Sequence, residues 1–513
     1  MPAIVTDKIR LLNCSNFISD ISTGSYYIFL GFPNATDFDS DWDNSQPSPI
    51  DNDLYLNSYR DTILGVKKVN SSDVIRVIPK LQWITGRKYD MYRHDYSVYN
   101  LSAVASATRL YDSQYYIINR DYRVYICINN GSSPANQNQG VVSTQEPLHT
   151  DISPRKESDG YVWKYLYTLS PADVLKFDST NYIAIPNNWT TTSNAEITRI
   201  RSNAFNGQIQ TILIEKQAQY NYVGTLSGVP IKGDGFGGEA SVIFDEESKP
   251  VSVEVTVGGL EYTYATLDLD SVLPPLSGEK AIFNVIIPPP GGHGSNPYTE
   301  LGATRVLIYS RIENDPTNPD FIIGNQFSRI GLIKNIKTFG SNSNFTGSSG
   351  SGIYAAKMNT SVILDPVDSK ITQTSSNGVG TLVSFDSTTQ ILKYIQPRTN
   401  YLDTYAVGNI ITIDYQYANS SSGIQTATVY DQNEFDTSTN FVIGANSYPI
   451  DTSFNGSTIT VGSVEYYLGQ SFNSGLSSPD INNKSGEVLY VDNRGSVTRA
   501  SQQREDIKII LEF

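Results

Sequence analysis

Histidine, cysteine and carboxylate side chains carry most protein chemistry, and this chain has few of the first two. His94, His149 and His293 are its 3 histidines, and Cys14 and Cys127 its 2 cysteines. A zinc site takes about four ligands, usually as short-spaced Cys or His pairs. These residues are scattered, so that chemistry is set aside. A Ser-His-Asp triad needs a histidine beside an activated serine, and no G-x-S-x-G elbow occurs. His293 stands out within PPPGGHGSN (Pro288–Asn296). A glycine-rich turn that carries the ring in an interface is the expectation there, ahead of catalysis. Glycoside cleavage needs two carboxylates about 5–9.5 Å apart. Among 52 acidic residues, nothing singles out such a pair.

Two further motifs fail on context. GDGFGG (Gly233–Gly238) has the letters of a dinucleotide loop, but EASVIFDEE follows it. That run reads as a strand, and the dinucleotide motif works through a helix N-terminus. The glycines are expected to turn the chain between strands. FDSDWDNSQ (Phe38–Gln46) and TLDLDSV (Thr266–Val272) gather carboxylates. Neither has the ligand positions of a calcium loop, so solvated acids are expected. No metal and no cofactor is implied.

The elements that would position such groups are strands. The chain has 513 residues, enough for two to four domains. Hydrophobic residues make up 39%, charged residues only 17%, and Tyr alone accounts for 34 positions. Aromatic and β-branched residues joined by Gly, Asn and Asp turns describe a mainly β, multi-domain protein. The formal charge of −15 opposes phosphate backbones and anionic membranes alike. No run of about 20 apolar residues and no leader pattern is apparent. The expectation is a soluble chain kept in a reducing cytoplasm, with both cysteines buried as thiols in strand-like contexts.

Along the chain, KIRLLNCSNFISDI allows a short helix through Ile9, Leu12, Phe17 and Ile21. SYYIFLGF (Ser25–Phe32) is a strand, and the Pro/Asp-rich stretch after it a long surface loop. YYIINRDYRVYICINN (Tyr115–Asn130) predicts a hairpin around Asn119-Arg120-Asp121. In YVWKYLYT, Tyr161, Trp163, Tyr165 and Tyr167 alternate with Val162, Lys164, Leu166 and Thr168. Period two places the four aromatics on one face of a strand. That face is a sheet's inner side, a subunit contact or a sugar platform, in that order of expectation.

An internal repeat follows. IQTILIEKQAQYNYVGTL from Ile209 aligns with VSVEVTVGGLEYTYATL from Val251, which places Tyr220 and Tyr222 42 residues before Tyr262 and Tyr264. GEASVIF from Gly238 pairs loosely with GEKAIFNVII from Gly278. Two copies of so small a β unit are expected to pack together. SNSNFTGSSGSG (Ser341–Gly352) has the composition of a flexible linker. Strands recurring about every ten residues after it suggest a sandwich or barrel.

Several of these segments together are similar to one family. The chain resembles the baseplate wedge subunit of contractile-tail, T-even-like bacteriophages, the gene-product-eight family. AIVTDKIR and SYYIFLGF open the resemblance, followed by DTILGVKKV and VIRVIPKLQW. SDGYVWKYLYTLSPAD (Ser158–Asp173) is its most specific piece, with NYIAIP (Asn181–Pro186) soon after. PPPGGHGSN with ELGATRV, then FSRIGLIKN, look like the family's middle. SGEVLYVDNR (Ser485–Arg494) and QREDIKIILEF (Gln503–Phe513) look like its end. The motifs cover roughly half the chain in the family's order.

The resemblance implies a mainly β, β-sandwich-like core built from N-terminal, middle and C-terminal parts. On that reading residues 1–199, 288–344 and 479–513 form the core. Residues 200–287 and 345–478 are inserted β domains. It implies a structural virion protein without catalysis, dimeric within each wedge and joined to other wedge proteins. The resemblance assigns the inserts no role; enlarging those contacts or projecting outward to hold a tail fibre are the two expectations for them. The competing expectation is a carbohydrate-binding or carbohydrate-cleaving tail protein, with the inserts recognising the host surface.

Overall fold

The computed structural model describes residues 4–32, 42–276, 278–313, 326–358, 370–386, 391–396, 410–416, 422–428, 440–443, 446–449, 458–461, 464–467, 476–499 and 503–513. The protein is mainly β, as its composition predicts. It forms two compact units that cut across the five expected parts. One comprises Met1–Phe17, Ile75–Leu307 and Ile510–Phe513, the other Ile18–Val74 and Ile308–Ile509.

The opening helix is longer than the spacing suggested, running from Asp7 to Thr23. Its buried positions are Cys14 and Ile21, while Ile9 and Leu12 face solvent. Cys14 therefore lies on a helix and not in a strand. Phe17 meets Phe513, with ring centroids 5.4 Å apart.

In the first unit a four-stranded sheet holds the aromatic run. Tyr161–Thr168 lies between Arg123–Asn130 on one side and the short Arg155–Lys156 on the other, with Tyr116–Ile118 beyond. The expected hairpin is present. Asn119 closes it, its Oδ1 accepting from the backbone N–H groups of Asp121 and Arg123, both at 2.9 Å. Such an Asx turn substitutes a side-chain oxygen for a backbone acceptor.

The repeat forms one six-stranded assembly in the same unit. Copy one supplies strands Ile212–Lys216, Gly224–Gly233 and Phe236–Phe244; copy two supplies Pro250–Leu260, Ala265–Leu267 and Ile282–Val285. Pairing between the copies is reciprocal. The first strand of copy one pairs with the third of copy two, Ile212 opposite Val285. The third strand of copy one pairs with the first of copy two, Val242 opposite Val253. The middle strands pair with each other, Ile231 opposite Leu267. The two first strands also lie side by side, as do the second and third strands of copy two. The ring of strands encloses one core that includes Tyr220, Val229, Ile231, Val242, Phe244 and Tyr262.

The repeated tyrosines lock the exchange. Tyr220 of copy one accepts at its hydroxyl from Ala281 N (3.1 Å) in copy two. Tyr262 of copy two donates to Ile231 O (2.8 Å) and accepts from Gly238 N (3.2 Å) in copy one. The symmetry ends at the second tyrosine of each pair: Tyr222 packs against the core, and Tyr264 is exposed.

In the second unit a five-stranded sheet runs Ser349–Ser351, Ile63–Lys68, Tyr26–Gly31, Gln326–Lys334, Glu487–Thr498. Arg329 is buried in it. Its guanidinium donates to Phe32 O (2.8 Å), Thr62 Oγ1 (3.0 Å) and Asn493 Oδ1 (2.8 Å), and lies 4.4 Å from the centre of the Tyr59 ring. Three neutral acceptors and an aromatic face thus replace the water it gave up. Gly331 is required at the sheet's centre. A Cβ there would lie 2.2 Å from the Phe29 ring and 2.5 Å from Tyr490 O. Gly331→Ala is expected to destabilise this unit by about 1–3 kcal/mol through overpacking, read by urea unfolding.

The Ser341–Gly352 stretch is not a linker. Ser349–Ser351 is the sheet's edge strand, and Phe345 packs on Tyr27 with centroids 5.7 Å apart. Its glycines serve packing. A Cβ on Gly347 or Gly350 would come within 2.5 or 2.6 Å of the Phe345 ring. The opposite edge, Glu487–Thr498, is guarded. Trp42 Nε1 donates to Arg494 O (2.8 Å), and Asp43 Oδ1 accepts from Ser496 N (2.8 Å). Part of the acidic loop is thus a sheet-edge cover; its Phe38–Asp41 half lies outside the described residues. Seven of the strands between Tyr354 and Ser477 form one antiparallel sheet, while Asn440–Ile443 pairs only with Asn446–Pro449 and Thr458–Val461 only with Val464–Tyr467 among the described residues.

Candidate functional site

The aromatic strand is interior. Tyr161, Trp163, Tyr165 and Tyr167 are all buried, and so are Lys164 and Leu166 on the other face. Each phenol has a partner. Tyr161 donates to Val141 O (2.8 Å) and accepts from Tyr89 N (3.0 Å). Tyr165 meets Thr168 Oγ1 at 2.6 Å and also bonds the Glu196 carboxylate. Tyr167 donates to Ala184 O at 3.0 Å. Trp163 stacks on Tyr161 at 5.3 Å and meets the edge of Tyr89 at 5.9 Å. Burial pushes the pKa of Tyr161, Tyr165 and Tyr167 upward, so all three are neutral phenols. The face is a core; it offers no platform to a sugar.

His293 lies inside the first unit and not at an interface. Its Nδ1 is 2.6 Å from Glu300 Oε1, and Glu300 Oε2 accepts from Gly294 N at 2.8 Å. Gly291, Gly292 and Gly294 take positive φ around it, which bends the loop back onto the short helix Pro297–Glu300. The Tyr92 ring meets the imidazole edge-on at 4.7 Å. The adjoining void, lined by Tyr92, Ile128, Gln210, Thr211, Ile286 and His293, has no room for a water molecule. Lys164 is buried nearby; burial lowers its pKa and the Glu300 charge raises it in part. Its Nζ donates to Ile152 O at 2.9 Å. A His–carboxylate pair sealed in this way fastens a loop and cannot reach a substrate.

His149 is also buried, and burial lowers its pKa below 6.5, with Asp151 opposing in part. Its Nδ1 accepts from Asp151 N at 3.3 Å, which requires the unprotonated nitrogen. The unfolded chain therefore binds more protons below pH 6.5. This contribution to stability is complete above that pH and is lost as pH falls through the lower folded value. His149→Asn, which keeps an acceptor near the same place, is expected to flatten the stability profile between about pH 5 and 7. Urea midpoints across that range check it.

The remaining sequence candidates resolve into structure. GDGFGG turns the chain between two strands, and Asp234 in it accepts from Thr263 N (2.9 Å) and Tyr264 N (3.1 Å). Hydrogen bonds from the Thr263 hydroxyl and these amides bring its pKa down to about 2. In TLDLDSV, Asp268 pairs with Lys232, and Asp270 with Lys280 at 2.7 Å. Among the described residues, no three metal-ligating side chains gather. Cys14 and Cys127 are buried free thiols, burial raising the first to about 11 and the second well above its usual value.

One open feature of this unit is a polar groove of about 680 Å³. Its walls come from the Met91–Ala103 segment, the Ser132–Gln139 loop and the end of the Ile212–Lys216 strand. Arg93 crosses it, gripping Asp95 through Nε (2.9 Å) and Nη2 (2.8 Å) and reaching Glu215 at 3.4 Å. Asn284 Nδ2 ties both carboxylates together, at 2.9 and 3.0 Å. Burial works against the Asp95 charge, but Arg93 outweighs it and holds the pKa at about 2. Amide side chains without periodicity give no pattern to find.

No family model matches this chain, and no curated protein matches it.

Proposed function

We propose that this chain is a structural subunit of a phage tail baseplate wedge. It dimerises and connects neighbouring wedge proteins during assembly and host-triggered contraction, as part of the virion, after synthesis in the host cytoplasm. It works without catalysis or cofactor, and without nucleic acid or membrane. The observation that carries the reading is the five-stranded sheet of the second unit. SYYIFLGF, FSRIGLIKN and SGEVLYVDNR, far apart in the chain, supply three consecutive strands of it, Tyr26–Gly31, Gln326–Lys334 and Glu487–Thr498. DTILGVKKV supplies the strand on the other side, Ile63–Lys68. Chance likeness of short strings gives no reason for them to be neighbours, whereas a shared core does.

Two further observations support it. The histidine most suggestive of chemistry is sealed, and the aromatic strand that a sugar site would have needed exposed is buried. Obligate subunit contacts typically bury more than about 2,000 Å², so assembly should be stable on a sizing column. Light scattering on the purified chain, alone and with the other wedge proteins of the same virus, tests the reading. A dimer that enters a larger complex is expected. A monomer or trimer that ignores those proteins would overturn it.

A further inference from the structure

We infer that the groove beside Arg93 binds a neutral oligosaccharide. The inference is independent of the wedge reading, because it rests on the chemistry of one surface.

The groove is lined by amides. Asn100, Gln137, Asn138, Gln139 and Gln217 face it. A carboxamide both donates and accepts, which matches sugar hydroxyls, each also a donor and an acceptor. The Gln137 and Gln139 side chains are exposed and hydrogen-bond nothing among the described residues. They are free to meet a ligand without giving up an internal bond.

The charges are spent internally. Arg93 is matched by Asp95 and Glu215, Lys216 by Glu279 (3.4 Å), and Lys249 by Glu247 (2.8 Å). Each cation of the groove has a carboxylate of its own beside it, so a charged ligand gains less here than beside a free charge, and a neutral polar one displaces no ion pair. A peptide strand finds one edge here already taken. The Ile212–Lys216 strand pairs on one side with Ile282–Val285 and lies against Pro250–Leu260 on the other.

The loop is preset for its task. Gln137 and Asn138 are consecutive non-glycine residues at φ 55 and 57. Such conformations cost free energy and persist only where surroundings impose them. Here Asn138 Nδ2 holds Ile214 O (3.0 Å), Asn136 Nδ2 holds Gly131 O (2.8 Å), and Ser132 Oγ holds Asn138 O (3.1 Å). Binding then costs little loop entropy.

On the opposite rim, Ser97 and Asn100 exchange backbone hydrogen bonds across a tight turn. Tyr99 at its tip is 98% exposed; it precedes the lining residues Asn100 and Leu101 in the chain and lies outside the groove wall itself. An exposed phenol beside amides suits the apolar C–H face of a pyranose ring. Arg93 holds the neighbouring Asp95 ionised and engages Glu215 at 3.4 Å, so the groove presents no free carboxyl pair of the kind that glycoside cleavage needs. The assignment is to binding, with the sugar left intact.

The test uses the full chain with maltohexaose, cellohexaose and chitohexaose, and a heparin hexasaccharide as the charged control. Calorimetry and saturation-transfer NMR are the readouts. At least one neutral sugar is expected to bind with Kd of about 1 mM or tighter and to be recovered whole. The double variant Gln137→Ala/Gln139→Ala and the single variant Tyr99→Ala are each expected to weaken it by about tenfold or more. Their melting temperatures should not move, because these side chains support nothing else. No neutral binding at about 10 mM, binding indifferent to both variants, binding of the heparin fragment alone, or shortened products would each overturn the inference.

Discussion

Trp163→Ala is expected to cost the first unit about 3–5 kcal/mol, the usual range for emptying a fully buried indole site. The site has little means of collapse. Trp163 lies on an inner strand, stacked on Tyr161 and wedged by Tyr89, and those two rings are fixed by hydroxyl bonds to the backbone of Val141 and Ile84. Their partners would have to break for the cavity to fill, so the vacated space stays open. Urea unfolding followed by tyrosine fluorescence measures the loss. A change below about 1 kcal/mol would contradict a core role, since surface substitutions fall in that range.

Glu300→Ala is expected to cost about 2–5 kcal/mol, for a different reason. The carboxylate is the acceptor for Gly294 N and the partner of His293 Nδ1. Its removal leaves two buried polar groups unmatched, each worth about 1–3 kcal/mol. It also takes an opposing charge from buried Lys164. Adding Lys164→Met to Glu300→Ala should therefore recover part of the loss, because the remaining buried charge goes too. A double-mutant cycle on unfolding midpoints reads this coupling. Strictly additive losses would show that Lys164 and Glu300 do not interact.

What could be read in advance followed from period-two pattern and turn chemistry. The strands at Tyr26–Gly31 and Tyr161–Thr168, the hairpin at Asn119 and the turn at GDGFGG all carry their signals within a few residues. The repeat was legible through Tyr220 and Tyr262, because both copies need a tyrosine at the same interior place. Other features depend on distant partners and have no local signal. The Ser341–Gly352 stretch looks like a linker because Ser and Gly dominate it, yet its glycines make room for the ring of Phe345. Ile9 and Leu12 fit a helical stripe, but the face that is buried runs through Cys14. The groove eluded reading for the same reason. Its amides come from three separate segments, and only the fold brings them to one place.

The reciprocal pairing of the repeat has a consequence for how such a chain can change. Because Ile212 sits opposite Val285, the chain leaves the barrel beside the point where it came in, about 5 Å away across an antiparallel pair. Everything from Gln217 through Ala281 is then an excursion from a hairpin. A short turn joining Lys216 to Ile282 would close the gap without stretching the surrounding unit. Gain or loss of the barrel's other four strands is a single-site event for the rest of the fold. Lineages can thus alter the reach of this surface while leaving the aromatic sheet untouched.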